Sequence, residues 1–425
     1  MKIMTHDPSE YIRGLQALLV SDKKKIGFLF GAGTSLAKKD KIKSKNIPAI
    51  SKMTSDIETE LFKTDNYKTA IDEIKNEIGK DKYTIETLLS AIEQKKMAVG
   101  RHSINGLNFS EFDDLCKEIK KEIHKIVSIH KNIENELEYV IHVDFADWIE
   151  RADRYYPIEI FTTNYDYLFE LGLEYKNVPY YDGFTGSLKP FFNSHSVDDL
   201  NFLPKQTKLW KIHGSLGWHY DEDTKRVWRK DSDSEDILIY PSTLKYNDSK
   251  KQPYTALGDR LTNFLKQSDT ILIISGYSFG DEHINERILT ALKTNTSAHV
   301  FVLFYDAIYD SIGKKIGYIL EKEDCTLKDI AKANNKISVL GCRHAIIGCQ
   351  YGKWKLKREP DNDDAIHIDL YFDQDAHADA SDMINNKIEE QKWTGEGELK
   401  LPDFTSFVNF LQSMIHLSDL TKEGK

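Results

Sequence analysis

Short apolar runs that end directly in glycine or polar residues constrain the fold of this chain more than any other feature. Such runs occupy residues 26–30, 158–161, 208–212, 237–240, 270–274 and 299–304. Several of them are continuous rather than alternating, which is typical of strands in a parallel sheet that is covered on both faces. Ligands bind at the carboxyl ends of such strands. We therefore expect the polar residues after these strands to converge in one crevice.

A different composition separates the first two runs. Residues from about 50 to 156 are rich in Lys, Glu, Ile and Leu and contain almost no proline. Apolar residues recur there at helical spacing, as in Ile71, Ile74 and Ile78, and this spacing predicts four or five helices. These helices form a long insertion between one strand and the next.

The fold class that follows is α/β, with a Rossmann-like parallel sheet, the large helical insertion and a smaller C-terminal α+β region. We place the first unit at residues 1–310 and the C-terminal region at residues 311–425. Short strands are predicted near residues 336–340 and 345–347, and a closing helix over residues 404–417. The last helix would place Phe407, Phe410, Leu411 and Met414 on one face.

Composition excludes several classes of protein. The 425 residues include 58 basic and 68 acidic ones, and the net charge of −10 argues against a dedicated nucleic-acid binder. No run of 18 apolar residues exists, so no membrane span is expected, and the first residues lack the apolar core of a signal peptide. The 4 cysteines form no Cys-x-x-Cys pair. We expect a reduced, cytoplasmic protein without disulfides or a structural zinc site.

Three candidate motifs follow the predicted strands, and each has a plain structural alternative. The turn at residues 31–35 offers backbone N–H groups and a hydroxyl to a phosphate, but it is not a full G-x-G-x-x-G and a simple turn explains it equally well. Asn164 and Asp166 are also favoured as helix N-caps. His213, alone beside a strand, is of a kind that more often lies in a core or at its rim.

The segment at residues 276–285 combines two glycines, a hydroxyl, an acid, a histidine and an amide after an apolar strand. Asp281 and His283 could in principle bind a metal ion. Their spacing does not place them on one helix face, and no third ligand is evident, so we predict no metal site.

Taken in order, the blocks GAGTS, FTTNYD, KIHGS and ISGYSFGDEHIN resemble the SIR2-like (sirtuin-related) family of NAD-dependent proteins, over about residues 26–305. The resemblance implies NAD+ as the bound substrate. It implies Asn164 and His213 as catalytic residues, with Thr163 standing where the family has a glutamine. The residues that it implies for binding NAD+ are Gly31, Ala32, Gly33, Ser35, Thr163, Asp166, Gly276, Ser278, Phe279 and Asp281.

Departures from the sirtuin pattern bear on the reaction. Sirtuin deacetylases carry a zinc module built on two Cys-x-x-Cys pairs, which this chain lacks, and a helical insertion takes its place. The extended G-Y-S-F-G-D-x-x-I-N block, at residues 276–285, resembles bacterial SIR2-like proteins of antiphage defence, and in length and layout the SIR2 subunit that assembles with a HerA-type ATPase. Asp281, His283 and Asn285 are specific to this form.

This likeness implies an NAD+ glycohydrolase that releases nicotinamide and depletes NAD+ in abortive infection. It further implies a homo-oligomer with a HerA-type ATPase or helicase as partner. The net charge of −10 assigns nucleic acid to that partner, and the lack of a long apolar run predicts no membrane association. Two alternatives stay open. The chain could be a catalytically silent subunit that binds NAD+ or ADP-ribose, or an NAD-dependent deacylase.

Overall fold

The structure is a computed structural model, and the residues that it describes are 4–133, 135–152, 154–221, 223–230, 237–239, 252–361, 363–364, 366–375 and 393–422. The helices in these ranges, in chain order, are α1 (Pro8–Val20), α2 (Ile50–Leu61), α3 (Asp65–Ile78), α4 (Ile85–Ala98), α5 (Phe109–Val127), α6 (Ile141–Arg151), α7 (Leu168–Tyr175), α8 (Ser194–Asp198), α9 (Tyr254–Lys266), α10 (Glu282–Thr294), α11 (Thr326–Lys332) and α12 (Phe404–Lys422).

The strands, in chain order, are β1 (Thr5–His6), β2 (Lys25–Phe30), β3 (Glu159–Thr162), β4 (Tyr180–Tyr181), β5 (Phe184–Thr185), β6 (Phe191–Phe192), β7 (Thr207–Lys211), β8 (Gly214–Leu216), β9 (Trp218–Asp221), β10 (Arg226–Arg229), β11 (Ile237–Ile239), β12 (Thr270–Ser275), β13 (His299–Phe304), β14 (Ala307–Tyr309), β15 (Lys315–Tyr318), β16 (Ile337–Gly341), β17 (His344–Ile347), β18 (Gln350–Trp354), β19 (Phe372–Gln374) and β20 (Gly397–Leu399).

A ten-stranded sheet organises the molecule, in the order β1-β18-β17-β16-β13-β12-β2-β3-β7-β4. The seven strands from β16 to β4 each run parallel to their neighbours within that group. Only β17 is antiparallel to the strands beside it. The predicted α/β class with a mostly parallel, Rossmann-like sheet is confirmed.

The chain reverses its direction of travel across the sheet at β2. It moves from β2 to β3 and β7 on one side, and it later returns to β12 and β13 on the other. A reversal of this kind opens a crevice at the carboxyl ends of the two strands that flank it. The crevice therefore lies above β2 and β12, where the glycine-containing segments at residues 31–35 and 276–280 begin.

Helices cover both faces of this sheet, because successive strand residues point to opposite sides. In β2, Phe28 and Phe30 pack with α1, α6 and α12, whereas Leu29 packs on the opposite face with α9, α10 and α11. Both apolar layers are fully closed to solvent at β2. This double cover explains why the central strands read as uninterrupted apolar runs.

The helical insertion has an apolar core of its own. Helices α2, α3, α4 and α5 supply most of it, including Ile57, Ile74, Leu89 and Ile119. Helix α6 belongs instead to the core of the large sheet, through side chains such as Phe145. Five helices thus follow β2 before β3, as the spacing predicted; four of them build most of the insertion core, and α6 adds one buried side chain to it.

The segments after residue 310 extend the same sheet. Strands β16, β17 and β18 pair in series beyond β13, and α12 places Phe404, Phe407, Phe410 and Leu411 in the core around β2. The closing helix and both short strands were predicted close to their observed positions. The division of the chain at about residue 310 stays a prediction.

One predicted strand pairs differently from expectation. β11, at residues 237–239, is antiparallel to β8 and lies outside the ten-stranded sheet. Residues 359–390 form a strongly acidic segment, which is expected to be solvated, and they lie mostly outside the described residues. Within the part of the chain that the structure describes, no helix is long and apolar enough to cross a membrane.

Candidate functional site

Two turns pack backbone against backbone at the reversal point of the sheet. The N–H of Gly31 donates to the Ser275 carbonyl at 3.1 Å, and the N–H of Gly33 donates to the Gly276 carbonyl at 2.9 Å. A Cβ atom on Gly31 would lie 2.5 Å from the Gly276 oxygen. Gly276 itself has a φ of +68°, which favours glycine. The glycines are needed because the two turns touch at the main chain.

Asn164 ties the first turn to the end of β3. Its Nδ2 group lies within hydrogen-bonding distance of the Gly31 carbonyl at 3.1 Å, the Thr34 hydroxyl at 3.1 Å and the Ser35 hydroxyl at 2.8 Å. The side chain is buried. The amide oxygen Oδ1 accepts no hydrogen bond from the described residues. The Nδ2 group of Asn164 therefore hydrogen-bonds within the protein, and its Oδ1 is available to accept from another group.

Asp166 holds the other side of the same turn. Its Oδ2 accepts a hydrogen bond from the Ser35 hydroxyl at 2.7 Å, and its Oδ1 accepts from the N–H of Leu168 at 3.0 Å. The backbone oxygen of Asp166 accepts from the buried ammonium of Lys211, which also pairs with Glu170 at 2.9 Å. Burial raises the pKa of Glu170, and the nearby Lys211 opposes that rise.

His213 and Asp281 form a bridge over the carboxyl ends of β2 and β3. The Nε2 atom of His213 lies 3.0 Å from Oδ2 of Asp281, and the two side chains are 15% and 9% exposed. His213 follows β7, whereas Asp281 follows β12, and these strands lie three positions apart in the sheet. At about 4.8 Å per strand, the strands are separated by about 14 Å. The bridge therefore spans the crevice.

The loop after β12 holds Asp281 in place. Oδ1 of Asp281 accepts from the N–H of His283 at 3.0 Å and so caps α10. The Tyr277 hydroxyl lies 3.1 Å from both the Asp281 carbonyl and Oδ1 of Asn285. Asn285 in turn donates to the Phe279 carbonyl at 2.8 Å. Phe279 is buried at a φ of +60°, a conformation that this bond helps to keep.

The helical insertion touches the site directly. The Tyr165 hydroxyl donates to Glu86, in the first turn of α4, at 2.7 Å. Burial and the Glu86 carboxylate raise the pKa of Tyr165. Leu168 and Leu216, each within three residues of Asp166 or His213, belong to the apolar core of the insertion. The insertion and the crevice therefore share one boundary.

Several polar atoms at this edge have no partner among the described residues. The hydroxyl of Ser275 is buried at the end of β12 and has no partner there. The hydrogen bonds of the turn and of the bridge also leave Oδ1 of Asn164, Nδ1 of His213 and the N–H of Ala32 unused. The other N–H groups of the turn, at residues 31 and 33–35, are used within the fold. Several unpaired polar atoms close together at one edge of a sheet can form hydrogen bonds to a polar ligand.

The remaining predicted residues fall into two groups. Thr163 lies at the edge, where its N–H donates to the Phe30 carbonyl at 3.0 Å. Ser278 is exposed on the loop that carries Phe279, and His283 is exposed on α10. The carboxylate of Asp281 accepts from the backbone N–H of His283 and pairs with the ring of His213. Contact of these residues with NAD+ stays a prediction.

Four residues of the site escaped sequence reasoning: Thr34, Tyr165, Lys211 and Ser275. The position of Lys211 could have been recognised from the sequence, because the ammonium group of a lysine that is buried in an apolar strand needs a hydrogen-bonding or ionic partner. Tyr165 carried no such signal, since its partner Glu86 lies in the insertion. Across the described ranges, no group of three or more potential metal ligands occurs.

Comparison with known proteins agrees with this geometry. Residues 158–324 match the model of the SIR2-like domain, which covers the site from β3 through α10 and beyond. No curated protein matches the chain. The chain thus contains a SIR2-like domain over residues 158–324, and such a domain indicates an NAD-related activity.

Proposed function

We propose that this protein is an NAD+ glycohydrolase, which splits NAD+ into nicotinamide and ADP-ribose. The observation that carries the proposal is the placement of Asn164. Its Nδ2 group holds the turn at residues 31–35, while its Oδ1 stays unpaired. The side chain lies at the reversal point of the sheet, in a chain that contains a SIR2-like domain. The proposal deepens the NAD-related activity that this domain indicates.

The residues present fit NAD+. The buried, unpaired hydroxyl of Ser275 and the N–H of the exposed Ala32 are hydrogen-bond donors at the turns that form the floor of the crevice, as the pyrophosphate and ribose of a dinucleotide require. The turn at residues 31–35 and the loop at residues 276–279 would hold these groups from two sides. Asp166 keeps the Ser35 hydroxyl in a fixed orientation at the base of the turn.

Bound NAD+ would supply a C1′–N bond whose cleavage leaves a neutral nicotinamide and positive charge on the ribose. Oδ1 of Asn164 can accept a hydrogen bond from a water molecule and orient it. His213 can take a proton from that water or from a ribose hydroxyl. The carboxylates of Asp166 and Asp281 add negative charge at the edge where positive charge develops.

We further propose a role in antiphage defence, in which activation depletes NAD+ in the infected cell. The support is the extended block at residues 276–285, whose Tyr277, Asp281 and Asn285 are joined by hydrogen bonds. A free NADase would poison its own host, so activity should depend on assembly. We propose a homo-oligomer with a HerA-type ATPase as partner, and with nucleic acid bound by that partner.

The decisive experiment measures nicotinamide release from NAD+ by the purified protein, alone and with the product of the neighbouring gene. We expect release that is lost in His213→Ala. His102→Ala, a change of an exposed histidine outside the site, is the matched control and should keep full activity. Binding of ADP-ribose without nicotinamide release under either condition would overturn the proposal and favour a silent binding subunit.

A further inference from the structure

The bridge between His213 and Asp281 involves only one of the two nitrogens of the imidazole ring. Nε2 lies 3.0 Å from a carboxylate oxygen, and Nδ1 has no partner among the described residues. An ionised carboxylate only accepts hydrogen bonds, so its neighbour in a neutral imidazole must be the nitrogen that carries the hydrogen. The geometry therefore selects the tautomer in which Nε2 is protonated and Nδ1 has the free lone pair.

Asp281 is well suited to impose this choice. Oδ1 is committed to the N-terminus of α10, which leaves Oδ2 as the atom that faces His213. Tyr277 and Asn285 fix the backbone on either side of it. A carboxylate held at both ends cannot rotate away without uncapping the helix. This arrangement explains why the loop after β12 carries a tyrosine, an aspartate and an asparagine at these spacings.

We infer that Asp281 is a positioning residue that makes Nδ1 of His213 the proton acceptor, an inference that rests on the proposed NAD+ hydrolysis. Nδ1 takes the proton that a water molecule loses as the water oxygen bonds to the ribose carbon. Nicotinamide leaves with the electron pair of the broken C–N bond. Asp281 then stabilises the positively charged ring through Nε2. Asp281 acts through His213 and has no direct part in binding NAD+.

Asp281→Asn tests the inference, because asparagine is as good an N-cap as aspartate but lacks the charge and can offer either a donor or an acceptor to Nε2. We expect kcat for nicotinamide release to fall by roughly 10²- to 10⁴-fold. The Kd for ADP-ribose and the melting temperature should stay at wild-type values. Asp7→Asn is the matched control, since Asp7 caps α1 far from the site.

A second measurement does not depend on turnover. In nitrogen-15 spectra of histidine-labelled protein, the His213 signals are identified by their loss in His213→Ala. We expect the Nε2–H form in the wild type and a mixture of forms in Asp281→Asn. A wild-type Nδ1–H form, or a kcat in Asp281→Asn that equals or exceeds wild type, would overturn the inference. A wild-type protein with the Nε2–H form but no nicotinamide release would overturn only the proposed function.

Discussion

Replacement of Gly31 by alanine should push apart the two turns that form the floor of the crevice. The new Cβ would lie 2.5 Å from the Gly276 oxygen and 2.7 Å from Tyr277 Cα. Both are main-chain atoms, so no side chain can rotate away. Ordinary contact begins at 3.4 Å, and the turns must therefore separate by about 0.9 Å. Gly31 has a φ of −111°, so the effect comes from space alone.

The cost can be worked out from what this separation breaks. Overpacking of a tight site costs roughly 1–3 kcal/mol. The hydrogen bonds from Gly31 to Ser275 and from Gly33 to Gly276 would stretch as well, at about 1 kcal/mol each. We expect the free energy of unfolding to fall by about 3–5 kcal/mol. A shift of about 1 Å in positioning groups can cost roughly 100-fold in rate.

Urea denaturation, ADP-ribose titration calorimetry and nicotinamide release together test this chain of reasoning. Gly280→Ala is the matched control, because its Cβ would meet only the Ser278 hydroxyl oxygen, at an ordinary 3.4 Å. We expect the control to bind ADP-ribose as the wild type does, and Gly31→Ala to bind at least tenfold more weakly. Wild-type affinity and stability in Gly31→Ala would refute the view that the turns touch at the main chain.

Two further predictions concern stability. Burial lowers the pKa of His142 to about 4, so the unfolded chain binds more protons than the folded one between pH 6.5 and 4. The neutral His142 side chain should therefore contribute about 3 kcal/mol to the free energy of unfolding above pH 6.5, and this contribution should be lost as the pH falls toward 4. When denaturation is measured at a series of pH values, His142→Leu should lose this pH-dependent contribution. Arg260 bonds to both carboxylate oxygens of buried Glu159, at 2.9 and 2.7 Å. Arg260→Leu should cost about 3–5 kcal/mol, against less than about 1 kcal/mol for the exposed pair broken by Lys24→Ala; equal losses in denaturation experiments would contradict the argument.

Local patterns in the sequence predicted the strands well, because a strand in a sheet that is covered on both faces appears in the sequence as an apolar run. The runs at residues 26–30 and 270–274 differ from the observed strands by one residue at one end. Pairing could not be read in the same way. The run at 237–240 looks like another central strand, yet it pairs with β8 outside the large sheet. The sequence of a short apolar run does not indicate with which other strand it pairs.

The sequence predicted which residues belong to the site, but it did not predict the hydrogen bonds between them. Asn164, Asp166 and Ser35 were named from their blocks, and the structure joins them by direct hydrogen bonds. The partner of Asp281 was not foreseen, because the only nearby histidine in sequence is His283. A contact between residues 68 positions apart depends on the order of strands in the sheet. Strand order is a property of the whole chain.

The packing of α12 on β2 has a consequence for how the protein is made. Phe28 and Phe30 lie against Phe407 and Phe404, with ring centroids 6.2 and 5.3 Å apart. On the ribosome, the strand that leads into the crevice is synthesised well before the helix that covers one of its faces. A nascent chain would hold an uncovered β2 and an unfinished crevice until then. If the proposed NAD+ cleavage is correct, a growing copy would not consume NAD+ before α12 has emerged.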